Sequence, residues 1–310
     1  MFTDQPVTPA RLEVVVDLAR SMGERKITQD VLERLVQPKV LPGVTEKSVQ
    51  GKQAILAAKS LGLLVDAGDG GLRLAVPPRD RRTPREVLLD ALDEKVLSSL
   101  ELEPWLALFY AYLIGRDEGQ GGEAASGRGS FWESVFERDV LRGERVSNRF
   151  NETKYDGVRR WLRYIGLGWH DSKDTFQPNP YERIKRRLPA IFAGAVLVGG
   201  RNRAIPRMDS AQFMARLAVE CPELDGGWIF IKANGSDALV GRRCTRALAH
   251  ALVDLHLDDV IRLDCPADTS GWSLIHAQPP RDQERLRSDR FDAVEWPGFR
   301  ASREASHAAA

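Results

Sequence analysis

Leu12, Val15, Val16 and Ala19 recur at the spacing of a helix that buries one face. Thr8-Pro9 precedes them, a hydroxyl cap with proline at the first helical position, and Gly23 follows. Ile27 stands alone as an apolar residue. Thr28 caps a second short helix in which Val31, Leu32 and Leu35 face inward, and Pro38 stops it. After Pro42-Gly43, Thr45 caps a third helix with Ala54, Ala58 and Leu61 on its buried side. Beyond Gly62 the period changes. Leu63-Leu64-Val65 and Leu72-Arg73-Leu74-Ala75-Val76 flank a turn rich in Gly and Asp, which predicts a β-hairpin.

Three helices followed by a hairpin is an order that resembles the winged helix-turn-helix superfamily. That resemblance implies a third helix lying in the DNA major groove and a hairpin touching the backbone. Lys47, Ser48 and Lys52 on the third helix, and Arg73 on the hairpin, are then candidate DNA contacts. Glu46, Asp66 and Asp69 would face phosphate, and they favour the alternative in which the fold serves protein contacts only.

The ending of this unit recurs. Ala54, Ala58 and Leu61 are followed by Gly62-Leu63; Val158, Leu162 and Ile165 by Gly166-Leu167; Leu248, Leu252 and Leu255 by His256-Leu257. Each helix runs into a hairpin-like segment, the second around Asp171–Asp174 and the third with strands at Val260–Leu263 and Trp272–Ile275. A fixed order repeated along the chain predicts tandem units. The fold class is therefore mainly α with short β-hairpins (α+β), in tandem winged-helix-like units. The expected segments are 1–80, 81–180 with a flexible Gly-rich insertion at 115–130, 181–280, and a C-terminal tail at 281–310. The second unit uses helices at Pro84–Leu100, Pro104–Ile114, Phe131–Leu141 and Asn151–Ile165. The third uses Tyr181–Phe192, Asp209–Glu220 and Arg242–Leu257, with a short buried strand at Gly226–Ile231. In the tail, Phe291–Phe299 is an apolar-aromatic patch suited to docking on the body or on a partner.

Net charge is +1, well short of a uniformly basic DNA-coating surface, but the cations cluster. Arg79, Arg81, Arg82 and Arg85 form one group, and Lys185, Arg186 and Arg187 another. Lys154, Arg159, Arg160 and Arg163 lie on the helix before Gly166, with the three arginines expected opposite its apolar face. Arg242, Arg243 and Arg246 open the third recognition-type helix. All seven join the candidate nucleic-acid contacts; solvated helix faces are the plainer alternative for each cluster.

Catalytic signatures are missing. Gly199-Gly200 lacks the Gly-Lys-Ser/Thr ending of a phosphate loop, and the only Gly-Lys pair, Gly51-Lys52, lies inside a helix. Cys221, Cys244 and Cys265 form no Cys-x-x-Cys pair, and His250 and His256 fall on nearly opposite helix faces, so neither metal nor cofactor is expected. Asp254, Asp258, Asp259 and Asp264 form an acidic cluster; a hydrolase using it is an alternative to a solvated helix end. The start of the chain shows no secretory pattern and the apolar runs are too short for a membrane span, which implies a cytoplasmic protein.

The stretch Lys154-Tyr155-Asp156-Gly157-Val158-Arg159-Arg160-Trp161-Leu162-Arg163-Tyr164-Ile165-Gly166-Leu167-Gly168-Trp169 resembles the DpdG proteins. These belong to bacterial clusters that insert 7-deazaguanine bases into DNA and restrict unmodified DNA. The resemblance implies an accessory subunit of a modification, restriction or phage-defence system, non-catalytic, partnered by double-stranded DNA and other protein subunits. It transfers no catalytic residue. A stand-alone transcriptional regulator and a protein-binding scaffold are the alternatives.

Overall fold

The computed structural model describes residues 7–23, 27–38, 40, 49–68, 70–77, 80–100, 102–116, 136–141, 152–172, 176–199, 204–236, 241–266, 270–274 and 289–298. The chain is mainly α-helical with short antiparallel sheets, the α+β class expected. Its contacts divide it into two compact units. One comprises Met1–Tyr110 and Ser126–Ile165, the other Ala111–Ala125 and Gly166–Ala310. Thr45, Lys47, Ser48, most of the Gly-rich insertion, and the tail beyond Gly298 lie outside the described residues.

In the first unit, α1 (Pro9–Ser21) starts where Thr8 Oγ1 accepts the Arg11 N–H, and it buries Leu12, Val15, Val16 and Ala19. β1 (Ile27–Thr28) follows, and its last residue caps α2 (Gln29–Val36), Thr28 Oγ1 accepting the Val31 N–H. α3 (Gln50–Ser60) begins beside α2: the amide oxygen of Gln37 accepts the Gly51 N–H at 2.7 Å, satisfying one first-turn donor. Then come β2 (Leu64–Asp66) and β3 (Gly71–Leu74). The hairpin is present, but β3 also pairs with β1, so the sheet is three-stranded in the order β1-β3-β2. Ile27 is thus a strand residue, buried against Leu72's strand rather than isolated; two residues are too short to show a period. On α2 only Leu32 is buried. Val31 and Leu35, expected inward, are 37% and 46% exposed.

α4 (Pro84–Leu92) opens on a full capping box, Thr83 and Glu86 each accepting or donating to the other's end of the turn, and runs into a π-helical turn at Asp93–Leu97. α5 (Pro104–Arg116) is buried from Trp105 to Ile114. Phe136, before a second π-helical turn at Glu137–Leu141, meets the rings of Trp105 and Phe109 edge-on. α6 (Glu152–Ile165) buries Tyr155, Val158, Trp161, Leu162 and Ile165.

The second unit starts with a hairpin of β4 (Gly168–His170) and β5 (Phe176–Pro178), as the repeat predicts. It continues through α7 (Tyr181–Ile191), β6 (Val196–Val198), β7 (Ile205–Asp209), α8 (Ser210–Glu220), α9 (Trp228–Asn234) and α10 (Arg246–Leu257). Strands β8 (Arg262–Asp264), β9 (Trp272–Ser273), β10 (Arg290–Phe291) and β11 (Ala293–Glu295) complete it. A four-stranded sheet has the order β6-β7-β11-β8, with every neighbouring pair antiparallel.

Part of this sheet repeats the first unit. β7-β11-β8 has the order of β1-β3-β2, and Asp209 at the end of β7 caps α8 as Thr28 caps α2. The helix endings also match. After α3, Leu61, Gly62 and Leu63 donate to Ala57, Lys59 and Ala58; after α10, Asp258, Asp259 and Val260 donate to Asp254, His256 and Leu255. Gly62 and Asp259 both take positive φ, +71° and +54°. The equivalent of Leu61 is therefore Asp258, one helical turn beyond the Leu255 that the apolar spacing suggests. The matching positions are Ala251, Leu255 and Asp258, the last of them polar, and Asp259 in place of the usual glycine conceals the stop.

Three expectations are corrected in this unit. β8 and β9 do not pair: β8 pairs with β11 and β9 with β10, so residues assigned to the tail supply the central strand. Phe291 and Val294 are buried there, which places the aromatic patch on the body. Gly226–Ile231 does not form a strand. Its end opens α9, because the Pro222 carbonyl accepts the N–H groups of Ile229 and Phe230, and Gly227 lies where a Cβ would stand 2.3 Å from the Pro222 oxygen. α10 begins at Arg246 rather than Arg242, because the backbone at 242–244 pairs with Ser273 of β9 and Thr245 becomes the cap.

Candidate nucleic-acid interface

The candidate residues fall into three groups once their surroundings are known. Lys154 is buried at 1% exposure, so it lies on the packed side of α6 rather than its open face. Arg159 is also drawn in. Its Nη2 donates to Asp156 Oδ1 at 3.0 Å, its guanidinium lies 4.9 Å from the Tyr155 ring centre, and its side chain is 17% exposed. The expectation that Arg159 stands opposite the apolar face is corrected accordingly. Arg242 holds a left-handed backbone and donates to the Ser270 carbonyl, and Arg243 joins the β9 bridge; neither is helical.

Lys52 on α3, Arg73 on β3, and Arg160 and Arg163 on α6 are different. All four are exposed and form no ion pair with any described residue. Arg160 and Arg163 are three apart on α6, hence neighbours on its open side. Of the carboxylates expected to face phosphate, Asp66 is held by Lys59 Nζ at 2.9 Å, while Glu46 and Asp69 lie outside the described residues. These four belong to the first unit.

Arg82, from the cluster before α4, is fully engaged. Its guanidinium bonds to Asp80 and to Asp90, and its carbonyl accepts from Arg20 Nη1. The hydrogen bonds from Arg82 hold the Asp80 carboxyl down at about 2 and push the guanidinium up from its ordinary value. This arginine pins the connection into α4. Arg81 and Arg85 remain exposed; Arg85 stacks on Tyr164, its guanidinium 5.3 Å from the ring centre. Periodicity missed Arg85, because its neighbour across the ring lies far along the chain.

In the second unit Arg246 is exposed at the start of α10, but that helix offers no open face. Ala247, Leu248, Ala249, Ala251, Leu252, Val253 and Leu255 are buried around it. The acidic cluster is taken up residue by residue. Asp254 accepts from Asn179, Asp258 from Tyr181, and Asp264 from Arg207. A cleft of about 370 Å³ lies here, lined by Arg207, His256, Asp259, Arg262, Leu263, Asp264 and Glu295. Arg207 spans it between Asp264 at 2.6 Å and Glu295 at 2.7 Å, and both carboxylates raise its affinity for its proton. His256 Nδ1 accepts the Leu263 N–H. Among the described residues no group of three or more His, Cys, Asp or Glu side chains is placed to hold a metal ion. Nor is any described helix long and apolar enough to cross a membrane.

These features define a class: a helix-rich α+β protein with repeated small sheets and exposed cations, in no ion pair with a described residue, on the helices and hairpin of its first unit. A family model described as DpdG-like matches residues 2–269, and the chain belongs to that family. The likeness seen at residues 154–169 thus extends over most of the chain, and membership points to an accessory place in clusters that insert 7-deazaguanine bases into DNA. No curated protein and no solved structure matches the chain.

Proposed function

We propose that this chain is a cytoplasmic, non-catalytic, DNA-binding accessory subunit of a bacterial DNA-modification or restriction system, working with other protein subunits. The observation that carries this reading is the set of exposed cations on the first unit that form no ion pair with any described residue: Lys52, Arg73, Arg160 and Arg163. An uncompensated cluster of cations gains most from a polyanion, since each phosphate contact releases condensed counterions. The winged-helix reading draws support at residues 1–80 and, with the boundary moved to take in β11, at residues 205–295 from the shared orders β1-β3-β2 and β7-β11-β8, each with a helix capped by the end of its first strand. Within that reading α3 is the groove helix of the first copy, and the buried α10 is a structural equivalent that reads no DNA.

A second reading has its own observation. Val31, Leu35, Val49 and Leu56 on α2, α3 and the approach to α3 are exposed, an apolar character suited to a protein partner. The double variant Lys52→Ala/Arg73→Ala separates the two. On the DNA reading it weakens binding to a labelled random-sequence duplex in low salt, flattens the salt slope by about 1.8, and leaves the melting temperature unchanged. Unaltered DNA affinity in that variant assigns α3 and the hairpin to protein contacts.

A further inference from the structure

We propose that Arg85 extends the phosphate-binding surface of Arg160 and Arg163 from α6 onto α4, and that Tyr164 is the residue that positions it. This rests on the DNA-binding reading above. Tyr164 lies at a meeting of three helices in the first unit. It belongs to α6, its hydroxyl donates to Glu13 Oε1 of α1 at 2.5 Å, and its ring carries the Arg85 guanidinium of α4 at 5.3 Å. Arg160 stands one turn before Tyr164 and Arg163 immediately before it, so the ring places Arg85 beside the two open arginines of α6.

A guanidinium stacked on an aromatic ring uses its face and leaves its N–H edge free for a planar anion. Arg85 is exposed and forms no ion pair with any described residue. Arg82, three residues earlier, has the opposite arrangement, with its edge donors spent on Asp80 and Asp90. Five described carboxylates on these helices and their approaches are committed elsewhere. Glu13 accepts from Tyr164, Glu86 closes the cap with Thr83, Asp156 holds Arg159, and Asp80 and Asp90 hold Arg82. Three guanidinium groups are therefore assembled on one surface with no described carboxylate in an ion pair with them. Such an arrangement repels itself unless an anion occupies it, and the ligand it suits is the phosphodiester backbone of a duplex.

The full-length protein is titrated against a fluorescein-labelled random-sequence DNA duplex over a series of salt concentrations, with thermal melting recorded for every variant. Arg85→Ala is expected to flatten the plot of log K against log salt by about 0.9, one phosphate contact. Tyr164→Leu, which removes the ring, is expected to move the slope in the same direction, and Tyr164→Phe, which keeps the ring, to restore it. A merely structural role for Tyr164 would lower the melting temperature in both Tyr164 variants without moving the slope. If Arg85→Ala keeps the wild-type slope while Arg160→Ala/Arg163→Ala flattens it, the DNA reading stands and the role of Arg85 falls. If the wild-type protein does not bind the duplex, the DNA reading itself falls. Polyglutamate that displaces the duplex at equal charge concentration overturns the assignment to phosphate.

Discussion

Replacing Glu223 with alanine is expected to destabilise the second unit by about 3–5 kcal/mol, a larger loss than removal of any exposed cation would cause. Arg183 Nε donates to Glu223 Oε1 at 2.9 Å, and both side chains are 0% exposed. Arg183 Nη2 also donates to the Glu220 carbonyl at 3.1 Å. Truncating Glu223 takes away the buried carboxylate that a guanidinium unable to lose its proton inside the fold bonds to, and the desolvation already incurred is then less well offset. The pair is a constraint rather than a net source of stability, so the double variant Arg183→Met/Glu223→Leu should recover much of the loss. Urea unfolding followed by circular dichroism reads both. A Glu223→Ala midpoint close to that of the wild type would show that the pair is reached by water.

The double variant Arg160→Ala/Arg163→Ala is expected to weaken duplex binding across unrelated sequences and to flatten the salt slope by about 1.8. Its melting temperature should hold, because both side chains are exposed and form no ion pair with a described residue. Arg159→Ala is the internal contrast. That residue holds Asp156 and packs over Tyr155, so its loss should cost roughly 1 kcal/mol of stability and leave the slope nearly unchanged. If all three arginines behave alike, in either direction, the sorting of α6 into open and engaged faces is wrong.

Much of the local structure was legible from residue order. The caps Thr8 and Thr28, the buried set of α1, and the hairpins after α3 and α6 are set by neighbours in sequence, and they stand where the pattern puts them. What escaped depends on partners distant along the chain. β1 is too short to show a period and exists because β3 accepts it. β11, the central strand of the second sheet, lies in a stretch that composition assigns to a tail. The β-rich letters of Trp228–Ile231 are a different case, a helix formed because the carbonyl of Pro222, a few residues earlier, satisfies its first turn.

The candidate site was legible as a list of cations and not as a surface. Sequence placed Arg159, Arg160 and Arg163 together by helical spacing, but Asp156 and Tyr155, which remove Arg159 from solvent, are on the same helix and gave no sign of doing so. Lys154 shows the same limit, since an amine can be buried when the surrounding fold supplies its partners. Arg85 stood in the sequence only as one of a cluster of arginines, and its place beside α6 comes from the ring of Tyr164, far along the chain.

The most direct test of the DNA-binding role is the salt dependence of duplex affinity for the full-length, unaltered protein. Contacts from Lys52, Arg73, Arg160 and Arg163 predict that log K falls with log salt at a slope of about −3.6, or about −4.5 when Arg85 makes a fifth contact, irrespective of duplex sequence. Absence of binding in low salt, or an affinity that does not change with salt, would contradict that role.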